Sequence, residues 1–241
     1  PCLNTKQAAA NSTLKGQQTL NNRGFIMKKF TLAAYLSIVS VFSSPVFADE
    51  QSDLLAIQQQ WAVANYELKD DAQIKAFTQL SEQSAQFIEN YPNSANSYTW
   101  NGIVLASFAG AKGGLGALGY AKDAKASLEQ ALKIDDSALG GSAYASLATL
   151  YSKVPGWPIG FGDDDTADKF FKQALAFNQK GIDTNYLYGE FLYDEREYEQ
   201  AKVHLLVAQA AGIRDTRAKA DKYRLQAISS LLAKVDKKLK R

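Results

Sequence analysis

Cysteine, histidine and methionine each occur only once in the 241 residues. The one cysteine is Cys2, so the chain after residue 48 has no thiol for a disulfide, a nucleophile or a metal site. A single histidine, His204, excludes a histidine-rich zinc site, and no G-x-S-x-G motif supplies a serine nucleophile. We therefore predict a non-enzymatic protein with no catalytic residues, no metal site and no cofactor.

The first 48 residues contain no acidic side chain. All 25 acidic residues follow them, together with 22 of the 27 basic ones, so residues 49–241 carry a formal net charge of −3. A slightly acidic domain has no electrostatic reason to bind nucleic acid. After residue 48 there is also no run of 18 apolar residues, and no transmembrane segment is predicted there.

The basic N-terminal segment has the three parts of a secretory signal peptide. Met27 precedes two lysines and an uncharged apolar run over 30–42, and small residues stand three and one positions before a cut after Ala48. The alternative, a buried core helix, is disfavoured by the two lysines and by Pro45. We expect translation to start at Met27 and the mature protein to be periplasmic. The predicted organisation is upstream sequence over 1–26, a signal peptide over 27–48 and one helical-repeat domain over 49–241.

Helical periodicity dominates the chain from residue 52 onward. Apolar residues recur at steps of three and four, which places them on one face of a helix, with Ser52 or Asp53 as the expected N-cap. No two alternating runs are joined by a hairpin turn, so the chain is predicted to be all-α. The first such face consists of Leu54, Ile57, Trp61, Ala64 and Leu68.

An internal repeat specifies the architecture. In the clearest copy, small Gly189 is followed twelve residues later by Ala201, then by Leu205 and Ala208, which is tetratricopeptide spacing. Two helices approach closely only where side chains are small, and bulky neighbours fill the space beside them. Earlier copies have the second-helix sets Ala124, Leu128, Ala131 and Ala167, Phe171, Ala174, with Gly102 and Ala148 as their first-helix partners.

These copies predict an all-α, tetratricopeptide-like stack of about four helical hairpins with a C-terminal capping helix over 215–241. Residues 52–90 form an atypical first hairpin. Two insertions, 110–119 and 154–163, fall in the turns inside the second and third hairpins and should emerge on one rim of the stack.

Two motifs within these segments have a chemical interpretation and a structural one. The sequence from Gly114 to Gly119 matches G-x-G-x-x-G, which binds dinucleotides only after a strand, so we interpret it as a flexible turn. Three acids, Asp163 to Asp165, lack the alternation of a cation-binding loop and are interpreted as the N-cap of the following helix.

The third hairpin carries a family resemblance. Residues 150–163 contain the loop Pro-Gly-Trp-Pro, which is not a repeat consensus feature, and the similarity extends over roughly 94–211. These residues resemble exported bacterial tetratricopeptide proteins similar to the T component (TatT) of TRAP-type solute transporters. The resemblance implies a helical periplasmic protein that pairs with a solute-binding protein and can form homo-oligomers. Unlike the lipoprotein form, this chain has no cysteine after the predicted cut.

An aromatic set along the groove and the insertions is the predicted binding site, because aromatics with polar groups suit a peptide or an organic ligand. The first interpretation is an adaptor that binds a partner protein, such as the solute-binding component. The alternatives are a small hydrophobic or organic-acid ligand in an enclosed cavity near Trp157 and Tyr188, and a hydrolase that uses His204. The Trp157 loop is interpreted equally as a binding rim or as a lid on the core. The predicted site residues are Tyr98, Trp100, Tyr151, Trp157, Phe161, Tyr186, Tyr188, Glu190 and Tyr193.

Overall fold

A computed structural model describes residues 49–114 and 116–240. The predicted signal peptide, its cut and the upstream segment lie outside these residues. Within them the chain is helical and contains no strand, which confirms the all-α prediction. The helices are α1 (Glu50–Tyr66), α2 (Asp70–Asn90), α3 (Ala95–Lys112), α4 (Ala117–Ile134), α5 (Ala138–Lys153), α6 (Asp164–Phe177), α7 (Ile182–Asp194), α8 (Tyr198–Ala210) and α9 (Ala218–Leu239), with a 3-10 turn at Asp215–Arg217 before the last.

The helices pack as four hairpins, α1–α2, α3–α4, α5–α6 and α7–α8, and α9 covers α8 as predicted. The capping helix also reaches the opposite end of the chain, because it contacts α1. There the rings of Tyr66 and Tyr223 stack with centroids 5.0 Å apart, and Lys219 pairs with Glu67 at 3.0 Å. The tetratricopeptide-like stack therefore closes on itself, a feature that the sequence did not predict.

Small residues make the contacts inside the hairpins, as the repeat spacing predicts. A Cβ atom at Gly102 would lie 2.5 Å from Leu128 Cγ and 3.1 Å from the carbonyl oxygen of Ala124. At Gly189 the corresponding distances are 2.9 Å to Leu205 Cγ and 3.3 Å to the carbonyl oxygen of Ala201. Glycine at these two positions thus lets the paired helices approach to within a distance that any side chain would prevent. The repeat alanines Ala124, Ala131, Ala148, Ala167, Ala174, Ala201 and Ala208 are all fully buried.

Side-chain caps fix the starts of α1, α3 and α6. The Asp49 carboxylate accepts a hydrogen bond from the backbone N–H of Ser52 at 2.8 Å, so α1 begins at Glu50 and the predicted cap at Ser52 or Asp53 was wrong. Asp163 accepts from the N–H of Thr166 at 2.7 Å and caps α6, as predicted.

The two insertions adopt different structures. Most of the first one, 110–119, extends α3 and α4 and leaves only a short glycine turn, so the flexible-loop prediction was too long. Residues 103–108, which would have to be the strand of a dinucleotide site, lie within α3. The second insertion, 154–163, is a loop between α5 and α6. Leu118 Cδ1 lies 3.5 Å from the position of a Cβ at Gly160, so the two insertions share one rim.

No helix in the described part of the chain is long and apolar enough to cross a membrane.

Candidate functional site

A central cavity of about 370 Å³ lies where the first helices of the four hairpins face one another. Helices α1, α3, α5 and α7 all line it, and the segment from Arg214 through the 3-10 turn into α9 completes the wall. Its lining combines apolar side chains, such as Leu54, Ile103 and Leu187, with several hydroxyl groups and four charged residues. The closure of the stack by α9 is therefore what turns an open groove into a cavity.

Two tryptophans form the aromatic wall of the central cavity. The rings of Trp61 on α1 and Trp100 on α3 meet edge to face, with centroids 5.9 Å apart. Trp61 donates its indole N–H to the hydroxyl of Ser107 at 2.8 Å, and that hydroxyl donates to the backbone carbonyl of Ile103 at 2.9 Å. The polar group of Trp61 is thus satisfied within the protein, and its ring is available as an apolar surface.

Charged side chains converge beside the aromatic wall, in what we call the arginine cluster: Arg214, Arg217 and Arg224 with Asp183 and Asp221. Asp183 accepts from Arg224 Nε at 3.0 Å and from an Nη of Arg214 at 2.7 Å. Asp221, whose side chain is almost fully buried, accepts from the backbone N–H and from the guanidinium of Arg214. These bonds hold the segment before α9 against α7.

The cluster keeps Asp183 ionised. Burial by itself would raise the pKa of this carboxyl group, but Arg224, Arg217 and Arg214 together hold the pKa well below its usual range. For Arg224, burial opposes the charged form, but Asp183, Tyr66 and Tyr186 together outweigh it, so the pKa of Arg224 is raised. Asp183 is accordingly an ionised carboxylate that pairs with all three arginines.

Arg217 differs from the other two arginines. Its Nη1 lies 3.7 Å from Asp183 Oδ2, which is an ion pair beyond hydrogen-bond distance, and its Nε is buried without a hydrogen-bond partner in the described structure. The guanidinium carbon lies over the rings of Trp100 and Trp61, at 5.0 Å and 6.0 Å from their centroids. Arg217 therefore links the aromatic wall to the arginine cluster while one of its donors stays unused.

The start of α5 brings an unusual backbone segment to the cavity. Leu139, Gly140 and Gly141 all have positive φ angles, and regular helix follows them. For leucine this left-handed conformation costs energy. It places Leu139 in the cavity wall, next to α3 and α1 residues.

Of the predicted site residues, Trp100 lines the central cavity and Tyr186 lies just behind it. The ring of Tyr186 packs against the guanidinium of Arg224 at 4.3 Å, and its hydroxyl donates to Glu190 at 2.8 Å. Burial, with the nearby charge of Glu190, raises the pKa of Tyr186 well above its usual range. Glu190 in turn lies 3.8 Å from Lys153.

The remaining predicted residues lie away from the central cavity. Tyr151 and Phe161 meet edge to face at 5.4 Å, and Tyr98 packs into the same core region. Tyr188 is buried against Phe171. The structure thus divides the predicted set among separate places. Its other members are Tyr193, which packs on Tyr198, and Trp157, which is 90% exposed.

One part of the loop 154–163 covers the core like a lid, and another part is exposed on the rim. Phe161 folds back onto Tyr151, as a lid would, and Lys125 lies over both rings at 5.9 Å and 5.8 Å. Trp157 and Ile159 point outward with 90% and 62% of their surface exposed. Neither Trp157 nor Tyr188 lines the central cavity, so that cavity is not the one predicted near these two residues.

His204 lies in α8, half-buried against the ring of Tyr188. Its Nδ1 is 3.0 Å from Asn185 Oδ1, so Nδ1 carries the proton and donates. Burial lowers the pKa of His204. A hydrolase needs a serine, aspartate or glutamate beside this histidine, and the partner that the described structure supplies is an amide.

Sequence reasoning missed the arginine cluster and Trp61. Trp61 was assigned only to the apolar face of the first helix, and the segment 214–224 only to the capping helix. One signal was present, since three of the six arginines in the chain fall within those eleven residues.

No protein-family model matches the chain, and no curated protein matches it. The resemblance to T components of TRAP-type transporters therefore stays a prediction that rests on the residues quoted for it.

Proposed function

We propose that this protein is a non-enzymatic binding protein whose central cavity holds a small organic ligand. The observation that carries the proposal is the convergence of all four first helices and α9 on one cavity that has an aromatic wall and a charged wall. Closing the stack costs the ordering of α9 and the burial of several charges. A ligand-binding role explains why the stack closes despite this cost, because the closure forms the cavity.

The size and lining support a small ligand rather than a peptide. Small-molecule sites typically measure about 300–1,000 Å³, and are mostly apolar with a few placed polar groups. The central cavity, at about 370 Å³, lies at the small end of that range. A solute of this size also agrees with the resemblance to an accessory component of solute uptake.

A cavity-filling variant tests this proposal. Ser146 lines the cavity from α5, so Ser146→Phe should fill part of it, whereas Ser229→Phe places the same ring on the exposed side of α9. We would screen small carboxylic acids, alcohols and amines by thermal shift. A ligand at 100 times its Kd should raise the Tm by about 5 °C or more in the wild type and in the Ser229 variant.

In Ser146→Phe the same compounds should lose most of that shift. If every stabilising compound acts equally on both variants, the central cavity is not the site and the proposal is wrong.

A second candidate function, the adaptor, is favoured by the exposed apolar tip of the loop 154–163. Trp157 and Ile159 are large, exposed side chains on the rim, and exposed apolar groups of this kind mark partner-binding surfaces. We propose as occupant the solute-binding component of a TRAP-type system in the periplasm, in line with the resemblance.

The adaptor role is tested with the solute-binding protein encoded beside the transporter membrane subunits. Trp157→Ala with Ile159→Ala should weaken its capture at least tenfold, because aromatic anchors dominate such contacts. Val203→Ala, at an exposed residue on α8, is the matched control. Equal capture by all variants would remove this loop from the interface.

A further inference from the structure

We propose that Arg217 binds the carboxylate of the cavity ligand, and that the ligand is therefore a small monocarboxylate with an apolar body. This assignment rests on the proposed function of the central cavity and specifies the class of molecule it takes. It follows from three observations: the hydrogen bonds of the arginine cluster, its charge, and the wall on which Arg217 lies.

The hydrogen bonds distinguish Arg217 from its neighbours. Arg214 spans Asp183 and Asp221, and Arg224 donates Nε to Asp183 at 3.0 Å. Both carboxylates are thus occupied by these two arginines. Arg217 reaches Asp183 only at 3.7 Å.

A buried donor without a partner is rare and costly in a folded protein. The unpartnered atom here is Nε of Arg217, in a side chain that is only 16% exposed. Because Nε has almost no accessible surface, a ligand can reach only the Nη1–Nη2 edge of the guanidinium, whose two parallel N–H groups match the two oxygens of a carboxylate. Asp183, 3.7 Å from Nη1, is too far away to accept a hydrogen bond from this edge, and a carboxylate in the cavity would accept two.

The charge of the cluster points to a monoanion. Three arginines face two aspartates, so one positive charge is left over within the cluster. A carboxylate neutralises that surplus. A phosphate group carries up to two charges near neutral pH and would bring an excess negative charge next to Asp183.

The aromatic wall supplies the complement for the rest of the ligand. The guanidinium of Arg217 lies over Trp100 and Trp61, so a carboxylate held at its free edge is within a short distance of apolar surface. Leu54 and Ile103 continue that surface along α1 and α3. An organic acid with an apolar chain or ring therefore meets both walls at once, whereas an inorganic anion meets only one.

The experiment uses the tryptophans as reporters. The chain has three, and replacing the exposed one by Trp157→Phe leaves Trp61 and Trp100, both at the cavity. In this background we would titrate octanoate and phenylacetate, their neutral counterparts octanol and 2-phenylethanol, and benzylphosphonate. We expect saturable fluorescence changes for the two carboxylates and at least tenfold weaker binding of the alcohols and the phosphonate.

Variants of the arginine give the second readout. Arg217→Gln should weaken carboxylate binding about 10- to 100-fold, because it removes a charge-assisted hydrogen bond, and should leave binding of the alcohols unchanged. Arg217→Lys keeps the charge but loses the planar edge and should fall between the two. Arg196→Gln, at an exposed turn, is the matched control and should bind like the parent. Without ligand, the Tm of Arg217→Gln should equal or exceed that of the parent, since the variant removes a buried donor that has no partner.

The outcomes separate this inference from the proposed function. If the alcohols bind as tightly as the carboxylates, or if Arg217→Gln binds octanoate and phenylacetate normally, the carboxylate assignment is wrong and the cavity is still a ligand site. Preference for benzylphosphonate would overturn it as well. If none of the probes perturbs Trp61 and Trp100 and no compound of the thermal-shift screen depends on Ser146, both the assignment and the proposed function fail.

Discussion

The interior of the hairpins and the wall of the central cavity are built on opposite principles. Inside the hairpins, the contact of Gly102 with Leu128 recurs as the contact of Gly189 with Leu205, and nothing charged takes part. The cavity wall is not repeated. It assembles tryptophans from two hairpins with charges from α7, from α9 and from the segment before α9, and the closing pair Glu67 and Lys219 lies 152 residues apart in sequence. The repeat therefore specifies the scaffold, and the closure of the stack by α9 creates the cavity.

The largest expected effect comes from removing the charge of Asp183 in the cavity wall. Asp183→Asn keeps the size of the side chain but leaves Arg214, Arg217 and Arg224 facing a neutral amide. Breaking a largely buried ion pair costs about 3–5 kcal/mol, and we expect about 3 kcal/mol here because Asp183 keeps 30% of its side-chain exposure. Urea denaturation at pH 7 measures the change. Asp165→Asn, an exposed acid in the first turn of α6, is the control and should change stability by less than about 0.5 kcal/mol.

The loss of stability at acid pH tests the contribution of Asp183 in a second way. The pKa of Asp183 is lowered in the folded protein, so the unfolded chain binds the proton more readily. The stability that Asp183 contributes is therefore complete above its ordinary pKa of 3.8 and is lost as the pH falls below that value. Asp183→Asn should flatten this part of the curve. An unchanged acid slope in the variant would show that the cluster does not depend on this carboxylate.

The next effect tests the hairpin interior with two glycines of the same helix. A Cβ at Gly102 would clash with Leu128, whereas nothing lies within 4 Å of a Cβ at Gly110. Gly102→Ala should lower the free energy of unfolding by about 1–3 kcal/mol through overpacking. Gly110→Ala should raise it by about 0.5–1 kcal/mol, because alanine favours the helix over glycine. Denaturant midpoints give both values. If both variants change the free energy of unfolding in the same direction, the close contact between Gly102 and Leu128 is contradicted.

The sequence predicts the hairpin interiors well and the cavity wall poorly. Local spacing revealed the four hairpins, the small-residue contacts and the cap at Asp163, because these depend on residues within a few turns of each other. Closure by α9 depends on the summed twist of the whole stack, and no local pattern encodes that sum. Trp100 was predicted as a site residue for its position on a first helix. Arg217 was not, since its position beside Trp61 and Trp100 arises only when the end of the chain returns to α1.

The length of the insertions was predictable but their structure was not. Residues 110–119 contain five glycines and were predicted as a turn, yet most of them extend α3 and α4. Packing of the extended helices, such as Phe108 against Tyr120 with centroids 4.3 Å apart, outweighs the low helix propensity of glycine. The loop 154–163 contains Pro155 and Pro158, which exclude such an extension.

A smaller effect is expected from His204 on α8, which contacts Asn185 and Tyr188 of α7. Burial lowers the pKa of His204 below the ordinary 6.5, so the unfolded chain takes up a proton first. Stability should be constant above pH 6.5 and fall as the pH drops below it. His204→Gln keeps a donor for Asn185 and should remove this dependence between about pH 5 and 7, where few other groups titrate. Denaturant midpoints across that pH window measure the dependence. If the variant keeps the same pH slope, a group other than His204 causes it.

The smallest effect should come from the surface pair that joins two hairpins outside both regions. Lys153 on α5 lies 2.6 Å from Asp194 at the end of α7, and both side chains are about half exposed. Such pairs contribute about 0–1 kcal/mol, and salt screens them. Lys153→Met should therefore change the free energy of unfolding by less than about 0.5 kcal/mol, and the difference should vanish in 1 M salt. A loss as large as that of Asp183→Asn would mean that the rim, and not the cavity wall, holds neighbouring hairpins together.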